Sequence, residues 1–119
     1  MSLVHLFIII FATGLAALGS LCLKLAALRL PTFSVTPGYA LALISNPYLI
    51  VGAALHVVPL LIWVYLLKFV DLSKLQPMMS MVYVFSAVLA YLVLQEPVGG
   101  MRIAGICIII VGVCLVSIS

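Results

Sequence analysis

The feature that most constrains this chain is a series of four long apolar segments that together occupy most of its length. They lie at residues 3–28, 47–69, 76–95 and 101–118. A helix needs about 20 apolar residues to cross the hydrocarbon core of a bilayer, which is about 30 Å thick. Strand-like alternation is absent, and only helices or closed barrels satisfy the backbone in lipid. The sequence therefore predicts an all-α membrane protein, a single domain over residues 1–119 with four transmembrane helices.

Composition excludes several other classes of protein. The chain is 68% hydrophobic and 6% charged, with a mean hydropathy of +1.54, whereas a soluble domain has about 25% charged residues. The net charge of +3 comes from five basic and two acidic residues. No basic surface for nucleic acid is therefore expected. No basic leader or cleavage site opens the chain, so we expect the first helix to be retained.

The chain carries no recognisable enzymatic constellation. Its three cysteines, Cys22, Cys107 and Cys114, lie in apolar segments without metal-ligand spacing, which is typical of small hydrophobic side chains. No paired acid and base occurs, and no phosphate-binding loop of the ATPase type is present. We expect no enzyme activity, no cofactor and no metal.

Lys24 is the most unusual residue of the first segment. A charge inside a membrane helix costs about 2.5–3.5 kcal/mol at its centre and less near its ends. Thr13, Ser20 and Lys24 recur at helical spacing with Ala17 between them, which places them on one face. Two interpretations remain open. This stripe lines a cavity for an anion, or Lys24 extends to the membrane surface beside Arg29 and orients the helix.

Two further segments also concentrate their polar residues on one face. In the second segment these residues are Tyr48, Gly52, His56, Pro59 and Trp63. In the third they are Gln76, Ser80, Tyr83, Ala87 and Tyr91. We expect the three polar faces to meet in a shared interior. His56 either contacts a substrate there or is a core histidine with its hydrogen bonds satisfied.

The remaining parts of the chain predict packing and topology. Gly105 and Gly112 lie one heptad apart in an otherwise bulky fourth segment, and small residues allow membrane helices to approach closely. We assign them to a dimer interface, with packing inside one chain as the alternative. Basic residues are nearly balanced between the two ends of the helices, which is compatible with an antiparallel dimer. Residues 39–44 are either a short interfacial helix or an apolar loop.

The chain carries four short motifs, at Gly19–Ala26, Pro77–Ser80, Gln95–Val98 and Gly105–Val113. Together these motifs resemble the small four-helix members of the drug/metabolite transporter (EamA-like) superfamily. In the small multidrug resistance branch, a glutamate lies in the middle of the first helix. The corresponding residue here is Ala16, so the resemblance to that branch implies neither its proton carrier nor its cation site.

The motifs also resemble the branch of small subunits that flip aminoarabinose linked to undecaprenyl phosphate. Gln76 departs from this branch, where a tyrosine usually precedes the proline. The resemblance implies a dimer, homomeric or with a related subunit, that moves a polyprenyl-phosphate glycolipid across the bacterial cytoplasmic membrane among its lipids. Lys24 would receive the phosphate, and neutral groups the sugar. The predicted substrate-binding residues are Lys24, Ser20, Thr13, Gln76, Ser80, Tyr83, His56 and Glu96.

Two alternatives to this function stay open. One is an exporter of small cations or metabolites like those of the small multidrug resistance family. The other is a membrane subunit without transport activity of its own, which belongs to an assembly for envelope synthesis. Flipping by the purified chain in liposomes separates the last alternative from a transporter.

Overall fold

The computed structural model describes residues 2–119 as an all-helical chain with no strand. Its helices are α1 (Leu3–Ala27), α2 (Pro37–Ile44), α3 (Pro47–Leu66), α4 (Leu72–Met78), α5 (Met81–Val93) and α6 (Gly100–Ile118). Four stretches are long and apolar enough to cross a membrane: α1, α3, α4 with α5, and α6. The predicted all-α architecture with four spanning helices is thus confirmed.

Asn46 begins α3 and ties it to the end of α1. Its Oδ1 accepts hydrogen bonds from the backbone N–H groups of Tyr48 and Leu49, at 3.1 and 3.4 Å. These are N–H groups that the first turn of a helix cannot satisfy itself. Its Nδ2 donates to the Ala26 carbonyl at 3.0 Å. Asn46 is only 7% exposed, and its bond to Ala26 is buried while the two capping bonds are partly buried. Together they set where α3 starts relative to α1.

The third spanning stretch starts at Leu72, before the predicted Gln76, and is interrupted between α4 and α5. Pro77 lies inside α4, and proline has no N–H to donate to the preceding turn. The Ser80 hydroxyl then donates to the Pro77 carbonyl, a local bond that competes with the continuing helix. The Ser80 N–H donates to the same carbonyl at 3.0 Å, the spacing of a tight turn rather than of an α-helix, and the chain turns at Met79–Ser80 before α5 begins.

The connection between α1 and α3, the longest between spanning helices in residues 2–119, contains a helix rather than a loop. Helix α2 begins at Pro37 after Thr36, whose hydroxyl accepts a hydrogen bond from the Tyr39 N–H at 3.4 Å. Its eight residues are too few to span a bilayer. Of the two alternatives for residues 39–44, the helix is therefore the correct one.

The main buried cluster lies at the end of the bundle opposite Lys24. It consists of Ile9, Leu66, Val70, Leu75 and Met78. Helix α1 packs mainly against α3 and also against α5, whereas α6 contacts α4 and α5. Val113 and Val116 of α6 reach the buried cluster. The rest of the bundle is more open, and this leaves room for cavities between α1, α3 and α5.

Helices α1 and α3 cross in close contact at two glycines. A Cβ on Gly19 would lie 2.6 Å from Nδ1 of His56 and 3.1 Å from the Gly52 carbonyl oxygen. A Cβ on Gly52 would lie 2.9 Å from Leu23 Cδ2 and 3.0 Å from the Gly19 carbonyl oxygen. The missing side chains thus allow the two backbones to approach, and this crossing places His56 beside α1.

Candidate functional site

A cavity of about 430 Å³ lies between α1, α3 and the junction of α4 with α5. It is lined by Ala16, Ser20, His56, Gln76, Ser80 and Tyr83, among others. The polar faces predicted for three separate segments therefore meet at one place. A second cavity of about 310 Å³ adjoins it, sharing His56, Gln76 and Met79 and adding Trp63. We refer to the first as the polar cavity.

Each helix positions its polar group through a local hydrogen bond. The Ser20 hydroxyl donates to the Ala16 carbonyl at 3.0 Å, and the Ser80 hydroxyl donates to the Pro77 carbonyl. Nδ1 of His56 lies 2.8 Å from the Gly52 carbonyl oxygen. These three side chains are held in fixed orientations at the cavity wall. His56 is half-buried and is held on one side only, so both of its predicted roles remain compatible with the geometry.

Lys24 lies one helical turn beyond Ser20 on the same face of α1. Its Nζ is 3.6 Å from Oε1 of Glu96, and the two side chains are 50% and 37% exposed. Lys24 does not line the polar cavity itself. Such a long, half-exposed pair contributes little stability and leaves the ammonium able to change partner.

Glu96 reaches Lys24 because the chain turns sharply after α5. Gln95 adopts a left-handed backbone conformation with φ of 54°, which is uncommon for a residue with a side chain. The Glu96 N–H then donates to the Ala90 carbonyl at 3.1 Å. This turn brings the carboxylate toward the end of α1, although the two residues are far apart in sequence.

Thr13 lies apart from the other predicted site residues. It is fully buried, and its hydroxyl donates to the Ile9 and Ile10 carbonyls at 2.8 and 3.0 Å. It is not part of the wall of the polar cavity. The eight predicted residues thus form a cavity group, the Lys24–Glu96 pair at the end of α1, and Thr13 within the packing of α1.

Gly105 and Gly112 both face open space. No atom of another helix lies within 4 Å of the position of a Cβ on either residue. Within residues 2–119 they therefore do not pack against another helix of the same chain. A dimer interface at these glycines stays a prediction.

The role of Gly19 and Gly52 in placing His56 was not predicted from the sequence. The available signal is the presence of glycines in two apolar segments, because small residues allow membrane helices to approach closely. Among residues 2–119, no group of three or more metal-ligating side chains comes together.

The fold and the site define a multi-pass membrane protein with a polar cavity between its helices. The chain belongs to the EamA-like transporter family, which it matches over residues 2–118. It is 31% identical over 110 residues to the probable 4-amino-4-deoxy-L-arabinose-phosphoundecaprenol flippase subunit ArnE of Enterobacter sp. (strain 638). That alignment covers 92% of this chain and 94% of the relative. No solved structure gives a significant match.

The family, this relative and the four apolar helices together confirm the predicted location in the bacterial cytoplasmic membrane. They also agree with the predicted resemblance to the small aminoarabinose flippase subunits.

Proposed function

We propose that this protein moves a polyprenyl-phosphate-linked sugar across the cytoplasmic membrane and acts as a dimer. The observation that carries the proposal is the placement of the Lys24 ammonium one turn from the polar cavity. An anionic phosphate and an uncharged sugar require these two environments side by side. The relative's name, a flippase subunit for 4-amino-4-deoxy-L-arabinose-phosphoundecaprenol, also describes a sugar linked to a polyprenyl phosphate, although that sugar carries an amino group.

The Lys24–Glu96 pair supports binding of the phosphate. Lysine binds phosphate as a point charge with three donors, and Nζ keeps donors available at 3.6 Å from a single carboxylate oxygen. A phosphate that approaches Lys24 replaces Glu96 as its partner. Glu96 therefore neutralises the ammonium while no substrate is bound, and its own contact with substrate stays a prediction.

An apolar groove offers a surface for the polyprenyl chain. It has a volume of about 450 Å³ and lies between α5 and α6. Its wall includes Val98, two residues beyond Glu96, and continues along Ile103 and Ile106 of α6. A lipid whose phosphate rests at Lys24 can place its tail along this groove, so that only the headgroup needs to cross through the bundle.

The cavity wall argues against the alternative of a cation exporter. Ala16, at the position of the glutamate in the small multidrug resistance branch, lines the polar cavity. No carboxylate lines that cavity, and a buried cation requires a countercharge. A carboxylate at position 16 would line the cavity, but Ala16 has no charge with which to bind a cation.

We expect cells that produce this protein to gain no resistance to quaternary ammonium compounds such as benzalkonium. Thermal-shift titration of the purified protein with benzalkonium should show no saturable binding at pH 6 or pH 8. Undecaprenyl phosphate should stabilise the protein at both values. Saturable, pH-dependent benzalkonium binding without a response to undecaprenyl phosphate would favour the multidrug alternative.

Two observations support the proposed dimer. Four short helices enclose little space, and α6 leaves Gly105 and Gly112 without a neighbouring helix. The word "subunit" in the relative's name describes a protein that assembles with another chain. A second copy, or a related small subunit, would cover this face of α6.

Gly112→Leu should shift the protein from dimer to monomer, because the larger side chain separates backbones that meet at this position. Cross-linking through Cys107 and Cys114, both exposed on α6, measures the dimer fraction in membranes and in detergent. The helical content should not change, since no atom of another helix lies near the Gly112 Cβ position. An unchanged dimer fraction would place the interface elsewhere.

Reconstitution of the purified chain in liposomes tests the transport function directly. Fluorescently labelled undecaprenyl phosphate glycolipid on the outer leaflet should become protected from a membrane-impermeant quencher. Flipping by this polypeptide alone supports a transporter. Flipping that requires a second small subunit supports a heterodimer. If no flipping occurs with or without that subunit, the chain is a subunit without transport activity.

A further inference from the structure

The serine hydroxyls at the cavity wall donate their hydrogens to backbone carbonyls that are nearby in the chain. A serine hydroxyl has one hydrogen to donate and two lone pairs to accept with. Ser20 donates its hydrogen to the Ala16 carbonyl, and Ser80 donates its hydrogen to the Pro77 carbonyl. In this arrangement, each hydroxyl oxygen can accept a hydrogen bond from a ligand in the cavity.

The same reasoning applies to His56. A backbone carbonyl can only accept, so the contact of 2.8 Å with the Gly52 oxygen requires the hydrogen to be on Nδ1. In the neutral ring with this hydrogen on Nδ1, Nε2 carries a lone pair. Nε2 has no hydrogen-bond partner in the part of the chain that the structure describes.

His56 lines both the polar cavity and the adjoining cavity. Its Nδ1–Cε1 edge lies close to α1, since these two atoms are 2.6 and 2.8 Å from the position of a Cβ on Gly19. Nε2 is the ring nitrogen that the Gly52 carbonyl leaves free for a ligand. Gln76 and Tyr83 can each donate and accept hydrogen bonds, so they do not change the excess of acceptors at the cavity wall.

We propose that the polar cavity is an acceptor subsite, in which Nε2 of His56, assisted by Ser20 and Ser80, selects a headgroup by its hydrogen-bond donors. The ligand class is a sugar that carries free hydroxyl groups. This inference rests on the proposed function. It adds that the phosphate and the sugar of the substrate bind at two different places. A phosphate diester carries no donor at neutral pH, so it is bound at Lys24 and excluded from the cavity.

The subsite recognises donors rather than positive charge. All three acceptors are neutral, and no carboxylate lines the cavity. A hydroxyl group gains a hydrogen bond there without needing a countercharge. Blocking the donors of the sugar by methylation should therefore remove the recognition, because each acceptor would then be buried without a partner.

Two substitutions of His56 distinguish the role of Nδ1 as a donor from the role of Nε2 as an acceptor. In His56→Asn, the side-chain amide can still donate to the Gly52 carbonyl from the place of Nδ1, but the acceptor at the place of Nε2 is lost. In His56→Gln, the longer side chain carries an acceptor oxygen to about the place of Nε2. The chain has one other histidine, His5, and His5→Gln serves as the control because His5 stacks on Phe69, away from the cavity.

Binding can be measured with full-length protein in lipid nanodiscs. Trp63 is the only tryptophan of the chain and lines the adjoining cavity together with His56, so its fluorescence reports on occupancy. The probes are undecaprenyl phosphate, its glucosyl derivative, its 4-amino-4-deoxyarabinosyl derivative and the glucosyl derivative with all hydroxyls methylated.

We expect the wild-type protein to bind the glucosyl derivative about tenfold more tightly than its methylated form, a difference that corresponds to one or two neutral hydrogen bonds. His56→Asn should lose most of this preference without changing its affinity for undecaprenyl phosphate. His56→Gln and His5→Gln should retain the preference. A much stronger response to the amino derivative, which is an ammonium at neutral pH, would contradict recognition by donors rather than by positive charge.

Equal affinity of the wild-type protein for the glucosyl derivative and its methylated form would overturn the acceptor subsite. The proposed function would survive that result if undecaprenyl phosphate still bound in a manner dependent on Lys24. Failure of every polyprenyl phosphate to bind would overturn both. The comparison of ligands uses the wild-type protein, so the inference stays testable even if a His56 variant does not fold.

Discussion

Lys24→Ala is expected to weaken binding of undecaprenyl phosphate by about 10- to 100-fold, the range for loss of hydrogen bonds to a charged group, and to abolish flipping in liposomes. The substitution removes the ammonium that attracts the phosphate. It also leaves Glu96 without the partner that lies 3.6 Å away, and an unpaired carboxylate at the end of α1 repels an anion. Two unit charges about 4 Å apart interact by about 4 kcal/mol at an effective dielectric constant of about 20, before desolvation opposes them.

Three further variants test whether the effect of Lys24→Ala is due to loss of the ammonium group at this position. Lys24→Arg keeps the charge and should retain part of the activity. Adding Glu96→Gln to Lys24→Ala should restore part of the lost affinity, because it removes the repulsion. Lys68→Ala removes an exposed lysine at the opposite end of the bundle and should leave binding unchanged. Full flipping activity in Lys24→Ala would show that Lys24 only anchors α1 at the membrane surface.

Gly19→Leu is expected to separate α1 from α3 and to destabilise the protein by about 1–3 kcal/mol or more, the usual cost of overpacking. The first added carbon would already lie 2.6 Å from the His56 ring and 3.1 Å from the Gly52 carbonyl oxygen. The backbone oxygen cannot move without shifting α3. The displaced imidazole would also lose its bond to Gly52, so ligand binding should fall together with the thermal stability measured in detergent.

Gly14→Leu provides the matched control on the same helix. No atom of another element lies within 4 Å of the Cβ position of Gly14, so the added side chain can extend into open space. Thermal stability and binding should stay close to those of the wild-type protein. If Gly19→Leu and Gly14→Leu behaved alike, the close crossing of α1 and α3 would not be needed for the cavity.

Much of the fold could be predicted from the sequence because hydropathy acts locally. Four apolar stretches of sufficient length must cross the membrane as helices, and the structure contains four such stretches. Helix α3 begins at Pro47, the first residue of the second apolar segment, because the start of a helix depends on adjacent capping residues such as Asn46. The start of the third stretch was less predictable, because α4 contains a lysine and a proline that lower its apolar character.

The candidate site could be predicted in part. Helical periodicity placed Ser20, His56 and the polar residues of the third segment on faces that meet at one cavity. The same periodicity grouped Thr13 with Ser20, yet the cavity does not extend to Thr13. Periodicity determines which residues share a face of a helix, but not how far along that face a neighbouring helix packs.

By itself, the sequence determined the all-helical membrane class, the four spans and the polar face of each of three helices. Only the tertiary structure decided that Glu96 meets Lys24, that Gly19 lies against His56 and that Ser20, His56 and Ser80 line one cavity. The physical reason is that length, hydropathy and periodicity are properties of one segment at a time. Contacts between segments depend on chain reversals such as the turn at Gln95 and on close approaches such as the Gly19–Gly52 crossing.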